Sequence, residues 1–89
     1  MSYKLTGEAQ RDIIEIRDYT SRNWGAKQSR DYLRKLRGVL SQLAEMPDMG
    51  HHRIDDFGED IYSFPYVSHM IYYSAQDTNI VVLAVLHQS

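Results

Sequence analysis

The feature that most constrains the fold is the segment 60–87, where three strand-like runs follow one another without a single Lys or Arg. The runs cover residues 61–64, 66–73 and 80–86, and they are rich in β-branched and aromatic residues. Residues 76–79 have the composition of a hairpin turn. The pattern predicts a three-stranded antiparallel meander. Because 80–86 is apolar on both faces, we expect it to be central and covered on both sides, at least once a partner binds.

Two helix-like segments precede the meander. The first begins near Gly7, with Thr6 as its N-cap, and ends at Trp24-Gly25, where glycine can adopt the positive φ of a helix end. The second covers residues 26–45 and ends before Pro47. Each carries an apolar stripe at helical spacing, made of Ala9, Ile13, Ile16 and Thr20 in the first and of Leu33, Leu36, Leu40 and Leu43 in the second.

Length and composition predict one soluble domain. The 89 residues suffice for one hydrophobic core and not for two. No cysteine is present, which excludes disulfides and thiolate chemistry. No apolar run is long enough for a signal peptide or a membrane span, so a cytoplasmic protein is expected. With a short opening strand at residues 3–5, the fold is predicted to be α+β over 1–89: strand, two-helix hairpin and meander.

Charge divides the chain into two halves. Residues 1–50 hold nine Lys/Arg against seven Asp/Glu, whereas residues 51–89 hold one, Arg53, against five. This asymmetry argues against a sheet face that follows a phosphate backbone. On the second helix Lys27, Arg30, Arg34 and Arg37 form one basic stripe. A solvated face is the favoured interpretation, and contact with an acidic protein segment or with phosphates is the alternative.

Few residues offer catalytic or metal chemistry. The loop 47–58 holds His51-His52 with Asp55-Asp56, but adjacent histidines point apart, so a metal site is not favoured. His69 is expected to be a hydrogen-bonded core histidine, and His87 ends the last strand. No Gly-x-Ser-x-Gly elbow accompanies the serines. We therefore expect no metal, no cofactor and no hydrolase triad.

Aromatic residues crowd the strand region. Cross-strand pairing within the sheet accounts for most of them. A sheet that covers its helices with one face exposes the other, and an uncharged, tyrosine-rich open face would suit a protein partner. The aromatic residues concerned are Tyr62, Phe64, Tyr66, Tyr72 and Tyr73.

In this order the motifs resemble the ParE toxins of bacterial type II toxin–antitoxin modules, within the RelE/ParE superfamily. The similarity spans nearly the whole chain. It rests on the first-helix pattern Ala9…Ile13…Ile16…Tyr19, Asn23-Trp24-Gly25, Leu36…Leu40…Leu43-Ala44-Glu45-Met46-Pro47-Asp48-Met49-Gly50, Ser63-Phe64-Pro65, Ile71-Tyr72-Tyr73 and Val85-Leu86-His87. The resemblance implies a RelE/ParE-like fold and a non-enzymatic toxin that binds DNA gyrase. It also implies a ParD-like antitoxin that wraps the toxin in a hetero-oligomer and makes the contact with operator DNA.

Departures from the family pattern bear on the mechanism. Many relatives carry arginine where this chain has Tyr62, Ser68 and Ser74. The RelE-type branch cuts messenger RNA on the ribosome and needs cations at the scissile phosphate. As an endoribonuclease this chain would depend on Arg53, His69 and His87, so nuclease activity is the alternative. An inactive toxin fold retained as a binding partner is a third possibility.

Two sets of binding residues follow from the resemblance and the residue pattern. An antitoxin segment needs an apolar groove with a charged rim, for which the second helix offers Arg30, Leu33, Arg34, Leu36, Arg37 and Leu40. For the target, the candidates are Arg53, Tyr62, Tyr72 and His87.

Overall fold

A computed structural model of the chain describes residues 2–53, 60–76 and 78–88. The elements are β1 (Ser2–Leu5), α1 (Gly7–Trp24), α2 (Ala26–Glu45), a 3-10 turn (Pro47–Met49), β2 (His51–His52), β3 (Ile61–Tyr66), β4 (His69–Ala75) and β5 (Asn79–His87). The predicted α+β class and the order of strand, helical hairpin and meander are confirmed. Within the described part of the chain, no helix has the length and hydropathy needed to cross a bilayer.

The sheet is larger than the predicted meander. Its five strands lie in the order β1-β5-β4-β3-β2, with β1 parallel to β5 and the other neighbours antiparallel. Residues 80–86 form an inner strand, since β1 and β4 flank β5, but β4 takes the middle position of the sheet. Coverage of β5 on both sides is not seen, because its open face is partly accessible. The prediction of a loop over 47–58 also missed β2, because two residues are too few to show a strand period. Residues 54–59 of that loop lie outside the described part.

The turn between β3 and β4 lies two residues later than the sequence predicts. The strand continues through Pro65, and the chain reverses at Val67-Ser68. A two-residue turn makes Tyr66 and His69 a hydrogen-bonded pair, so the nitrogen of Pro65 points away from β4. On its other side β2 reaches only as far as Ser63. The missing N–H of Pro65 therefore breaks no ladder bond, and Val67 takes the turn position with φ 51°.

Caps and small polar residues shape the helical hairpin. The Thr6 hydroxyl accepts a bond from the Ala9 N–H at 3.1 Å, which confirms the predicted cap, and donates to the Leu83 carbonyl at 3.0 Å. Gly25, with φ 92°, ends α1 and begins α2. Inside the hairpin the buried hydroxyls of Thr20 and Ser29 lie 2.6 Å apart and bond to each other. Both predicted stripes point into the core, and all four leucines of α2 are buried.

Tyr73 ties the end of the helical hairpin to the sheet. Its side chain is fully buried, and its hydroxyl donates to the Pro47 carbonyl at 2.6 Å and accepts from the Gly50 N–H at 3.0 Å. Burial raises the pKa of Tyr73 to about 12, against the opposing effect of the Gly50 N–H. Gly50 has an ordinary φ of −78°, but a Cβ at this position would collide with the Tyr73 hydroxyl. Glycine is required here by the close approach of the ring.

Candidate binding surfaces

The two faces of the sheet differ in chemistry because side chains alternate along each strand. Register pairs Tyr62 with Tyr73, Phe64 with Ile71, and Tyr66 with His69, all on the face that packs against the helices. The opposite, open face is mainly aliphatic and partly accessible. Its apolar part along β3, β4 and β5 is formed by Ile61, Met70, Tyr72, Val81, Leu83, Ala84 and Leu86.

The expected tyrosine-rich open face is therefore wrong in its composition. Of the five aromatic residues in the strand region, Tyr72 alone is turned toward the open face, and the others contribute to the core side. The inward direction follows from the register, since Tyr62 stands opposite the fully buried Tyr73. The open face remains uncharged along β3, β4 and β5, and it offers apolar contact area.

The basic stripe of α2 is exposed, as a partner surface requires. Asp31 lies 3.4 Å from Lys27 and 3.2 Å from Arg34, whereas Arg30 and Arg37 make no ion pair among the residues that the structure describes. The leucines predicted to form a groove beside this stripe are not available. Leu33, Leu36 and Leu40 are at most 7% exposed because they pack under the sheet. That part of the antitoxin prediction is corrected: the arginines form a surface, and the leucines form the core.

A buried polar cluster joins α2 to the turn between β3 and β4. The Tyr32 hydroxyl lies 2.8 Å from Nδ1 of His69, and the Tyr66 hydroxyl donates to the Tyr32 carbonyl at 2.8 Å. Either tautomer of His69 has a partner in this bond, because the Tyr32 hydroxyl can donate to Nδ1 or accept from it. His69 is thus a hydrogen-bonded core histidine.

Burial sets the protonation of this cluster. Desolvation lowers the pKa of His69, and the neighbouring His87 lowers it further. The two imidazole rings meet edge to face with centroids 5.4 Å apart. Desolvation raises the pKa of Tyr32, and the Ser68 N–H partly opposes that change. Desolvation and the charge of Tyr32 raise the pKa of Tyr66. These groups stay neutral near pH 7, and the cluster serves mainly to hold α2 against the turn.

The residues named for a nuclease are not brought together. Arg53 follows β2, its backbone N–H bonds the Ile61 carbonyl at 2.7 Å, and its guanidinium Nη1 bonds Ser63 Oγ at 3.3 Å. Its register places it on the open face, whereas His69 and His87 lie on the helix face. Ile61, the partner of Arg53, begins β3, and Tyr66, the partner of His69, ends it. These two ends of the strand are about 17 Å apart.

The four target-binding candidates are also dispersed. Tyr62 is half-buried on the helix face and stacks between His52, at 4.5 Å, and Tyr73, at 5.5 Å. Tyr72 belongs to the open face and stands opposite Ser63, whose hydroxyl Arg53 contacts. His87 is exposed at the far end of β5. They therefore divide among three places and do not share one contact surface.

The adjacent histidines of β2 point to opposite faces. His52 stands opposite Tyr62 on the helix face, and His51 stands opposite Ser63 on the open face. Asp55 and Asp56, the remaining residues of the metal hypothesis, lie outside the described part of the chain. Over residues 2–53, 60–76 and 78–88, no three His, Cys, Asp or Glu side chains are grouped to hold a metal ion.

Comparison with known proteins identifies the family. The sequence model described as the ParE toxin of the type II toxin–antitoxin system parDE matches residues 3–89. The chain belongs to the ParE toxin family. Toxin ParE1 of Caulobacter vibrioides is 30% identical over 87 residues, covering 98% of this chain and 88% of that protein. Toxin ParE1 of Mycobacterium tuberculosis is 32% identical over 87 residues, covering 97% of this chain and 88% of that protein.

The fold agrees with the same family. A solved structure described as the chromosomal ParDE TA system from P. aeruginosa superposes with a TM-score of 0.83. It covers 100% of this chain and 97% of that chain at 15% sequence identity, which establishes the ParE-like fold and not its partners. The chain is thus the toxin component of a ParDE-type toxin–antitoxin system.

Two features of this ParE toxin escaped the sequence reasoning. Asp12, Glu15 and Tyr19 line one side of a cleft beside β5, and their spacing of three and four on one helix is the signal that could have shown it. Lys4 adds a second cation to the sheet, because β1 joins its edge with Tyr3 and Leu5 turned inward. That placement depends on a pairing across most of the chain, so no local pattern could reveal it.

Proposed function

We propose that this ParE toxin acts by binding DNA gyrase and does not cut RNA. The observation that carries the proposal is the separation of Arg53 from His69 and His87, which lie on opposite faces of the sheet. A ribonuclease must place a cation and its proton-transfer groups around one phosphate, within hydrogen-bond reach. Family membership and the apolar open face support a toxin that works through protein contacts.

The second sheet cation does not supply what a nuclease lacks. Lys4 lies on β1 and Arg53 follows β2, the two edge strands of the sheet. Four strand spacings separate them, a distance of about 19 Å. One scissile phosphate cannot contact both side chains. Among the described strand residues and Arg53, these two are the cations of the sheet, and both lie on the face opposite His69 and His87.

The activity test compares two reactions with the same protein. Purified toxin is added to gyrase with relaxed plasmid, and separately to a translation extract with labelled message. We expect loss of supercoiling or trapped cleaved DNA, with intact message. Normal supercoiling at a molar excess of toxin contradicts gyrase as the target. Cut message that becomes intact with Arg53→Ala would instead establish the RelE-type mechanism.

We further propose a cytoplasmic complex with a ParD-like antitoxin, which makes any contact with operator DNA. The exposed arginines of α2 are its contact surface, and the antitoxin segment that covers them carries carboxylates. Arg30 and Arg37 have no ion-pair partner among the described residues, so a partner can pair with them at no cost to an existing bridge. The buried leucines contribute to this binding only indirectly, because their packing in the core holds α2 and its arginines in place.

The matched pair of variants for this surface is Arg34→Glu/Arg37→Glu and Arg17→Glu/Arg22→Glu. Both change net charge equally, and all four arginines are exposed, but the second pair lies on α1 away from the stripe. We expect the α2 variant to bind the antitoxin more weakly and with a shallower salt dependence than the α1 variant. Equal affinities for the two variants would exclude the stripe from the interface.

A further inference from the structure

A cleft of about 420 Å³ lies between α1 and the carboxyl end of β5. Its size falls within the range of about 300–1,000 Å³ typical of small-ligand sites. Asp12, Glu15 and Tyr19 line it from α1, Leu86 and His87 from β5, and His69 from β4. No residue of the basic α2 stripe lines this cleft, and the cleft borders the open face of the sheet at Leu86.

The cleft carries negative charge that no described side chain neutralises. Asp12 accepts a bond from the Val85 N–H at 3.0 Å, which fixes its carboxylate at the cleft wall. Glu15 is exposed and makes no ion pair within the described part of the chain. Asp18 and Asp31, by contrast, each pair with a basic side chain. The cleft is therefore suited to a cation.

The remaining walls identify the kind of cation. Tyr19 is 52% exposed and Leu86 is 49% exposed, so an aromatic and an aliphatic surface flank the two carboxylates. An arginine side chain uses all three components: its alkyl stem packs on leucine, its guanidinium stacks on tyrosine, and its N–H groups reach the carboxylates. A metal ion is not favoured, because no three potential ligands are grouped among the described residues. An anion would meet like charge.

We propose that the cleft binds an arginine side chain of the antitoxin. This inference rests on the proposed function for the identity of the partner. The acidic cleft and the basic α2 surface lie on different helices, so the antitoxin carries an arginine for the first and carboxylates for the second. Opposite charges at two separate places determine the direction in which the antitoxin segment crosses the toxin, and they disfavour segments with the reverse order of charges.

The first experiment uses the toxin alone, with N-acetyl-L-arginine amide as the probe and N-acetyl-L-citrulline amide as its neutral isostere. The full chain is labelled with nitrogen-15 and titrated with each probe at pH 7.5. We expect saturable shifts of the Val85, Leu86 and His87 amides with the arginine probe and none with citrulline. Absence of those shifts, or equal shifts with both probes, overturns the proposal.

Matched variants locate the binding site. Glu15→Gln removes one charge from the cleft and should weaken the arginine probe about threefold, the size expected for one partly exposed ion pair. Asp18→Asn removes the same charge three residues away on the same helix, outside the cleft, and should leave probe affinity unchanged. An equal loss in both variants would mean that net charge alone attracts the probe, which overturns the site.

The complex tests the assignment to the antitoxin. Glu15→Gln should weaken antitoxin binding at least threefold relative to Asp18→Asn. If the arginine probe binds but both variants hold the antitoxin equally well, the antitoxin is not the source of the arginine. Neither experiment contains gyrase, so the outcome is independent of the supercoiling assay. If the purified toxin does not inhibit gyrase but still binds the arginine probe, the proposed target is wrong and the assignment of the cleft stands.

Discussion

Removal of the Tyr73 hydroxyl tests how the helical hairpin is held to the sheet. In Tyr73→Phe the ring still fills the core, but the Pro47 carbonyl and the Gly50 N–H each lose a partner at 2.6 and 3.0 Å. A polar group left unsatisfied on burial costs about 1–3 kcal/mol. Both partners are only partly buried, so we expect a combined loss of about 2–3 kcal/mol. A domain of 89 residues has about 4–13 kcal/mol of unfolding free energy in total.

The matched control is Tyr66→Phe. The Tyr66 hydroxyl makes one bond, to the Tyr32 carbonyl at 2.8 Å, and that carbonyl lies inside α2 and also accepts a helical bond. Its loss should cost about 0.5–1.5 kcal/mol. Urea unfolding followed by circular dichroism measures both variants, with the m-value checked for a change in the unfolded state. A cost for Tyr73→Phe no greater than for Tyr66→Phe would refute the role of this hydroxyl as the principal tie.

A double-mutant cycle with Gly50→Ala sharpens the same test. In the wild-type background the added methyl meets the Tyr73 hydroxyl, so the substitution should destabilise strongly although φ is ordinary. In the Tyr73→Phe background that oxygen is absent, and the cost of Gly50→Ala should fall. Additive costs would show that the close approach of ring and backbone is not what requires glycine.

Three further predictions concern backbone strain and pH. Val67→Gly should raise stability by about 0.5–1.5 kcal/mol in thermal unfolding, because Val67 holds a positive φ of 51°, and Val67→Ala, which keeps that strain, should gain less. Folding lowers the pKa of His69, so the unfolded chain takes up the proton first as pH falls. The contribution of His69 to the unfolding free energy is therefore complete above pH 6.5 and is lost at lower pH. His69→Gln should reduce this loss of stability in acid. Because the pKa of Tyr73 is raised from 10.0 to about 12, its contribution is complete below 10.0 and is lost as pH rises toward 12, and an alkaline limb that persists unchanged in Tyr73→Phe would contradict this.

Local patterns carried most of the architecture. Helical spacing identified the buried face of both helices, and Thr6, Gly25 and Pro47 set their ends as predicted. These signals can be read from sequence because caps, breakers and amphipathic stripes act within a few residues. The position of the turn between β3 and β4 could not be predicted from such local signals. Proline usually ends a strand, but Pro65 continues β3 because it occupies a pair with Met70 in which its nitrogen makes no bond to β4.

The amino-acid sequence by itself determined the class, the two helices, four of the five described strands and the family, since local spacing and ordered motifs are enough for each. Tertiary structure alone decided which faces meet. It buried the leucines predicted to bind the antitoxin, turned most tyrosines inward and separated Arg53 from the two histidines. It also brought Asp12 and Glu15 beside His87. The physical reason is strand register: one pairing across the chain assigns every side chain on a strand to a face, and no local pattern contains that choice.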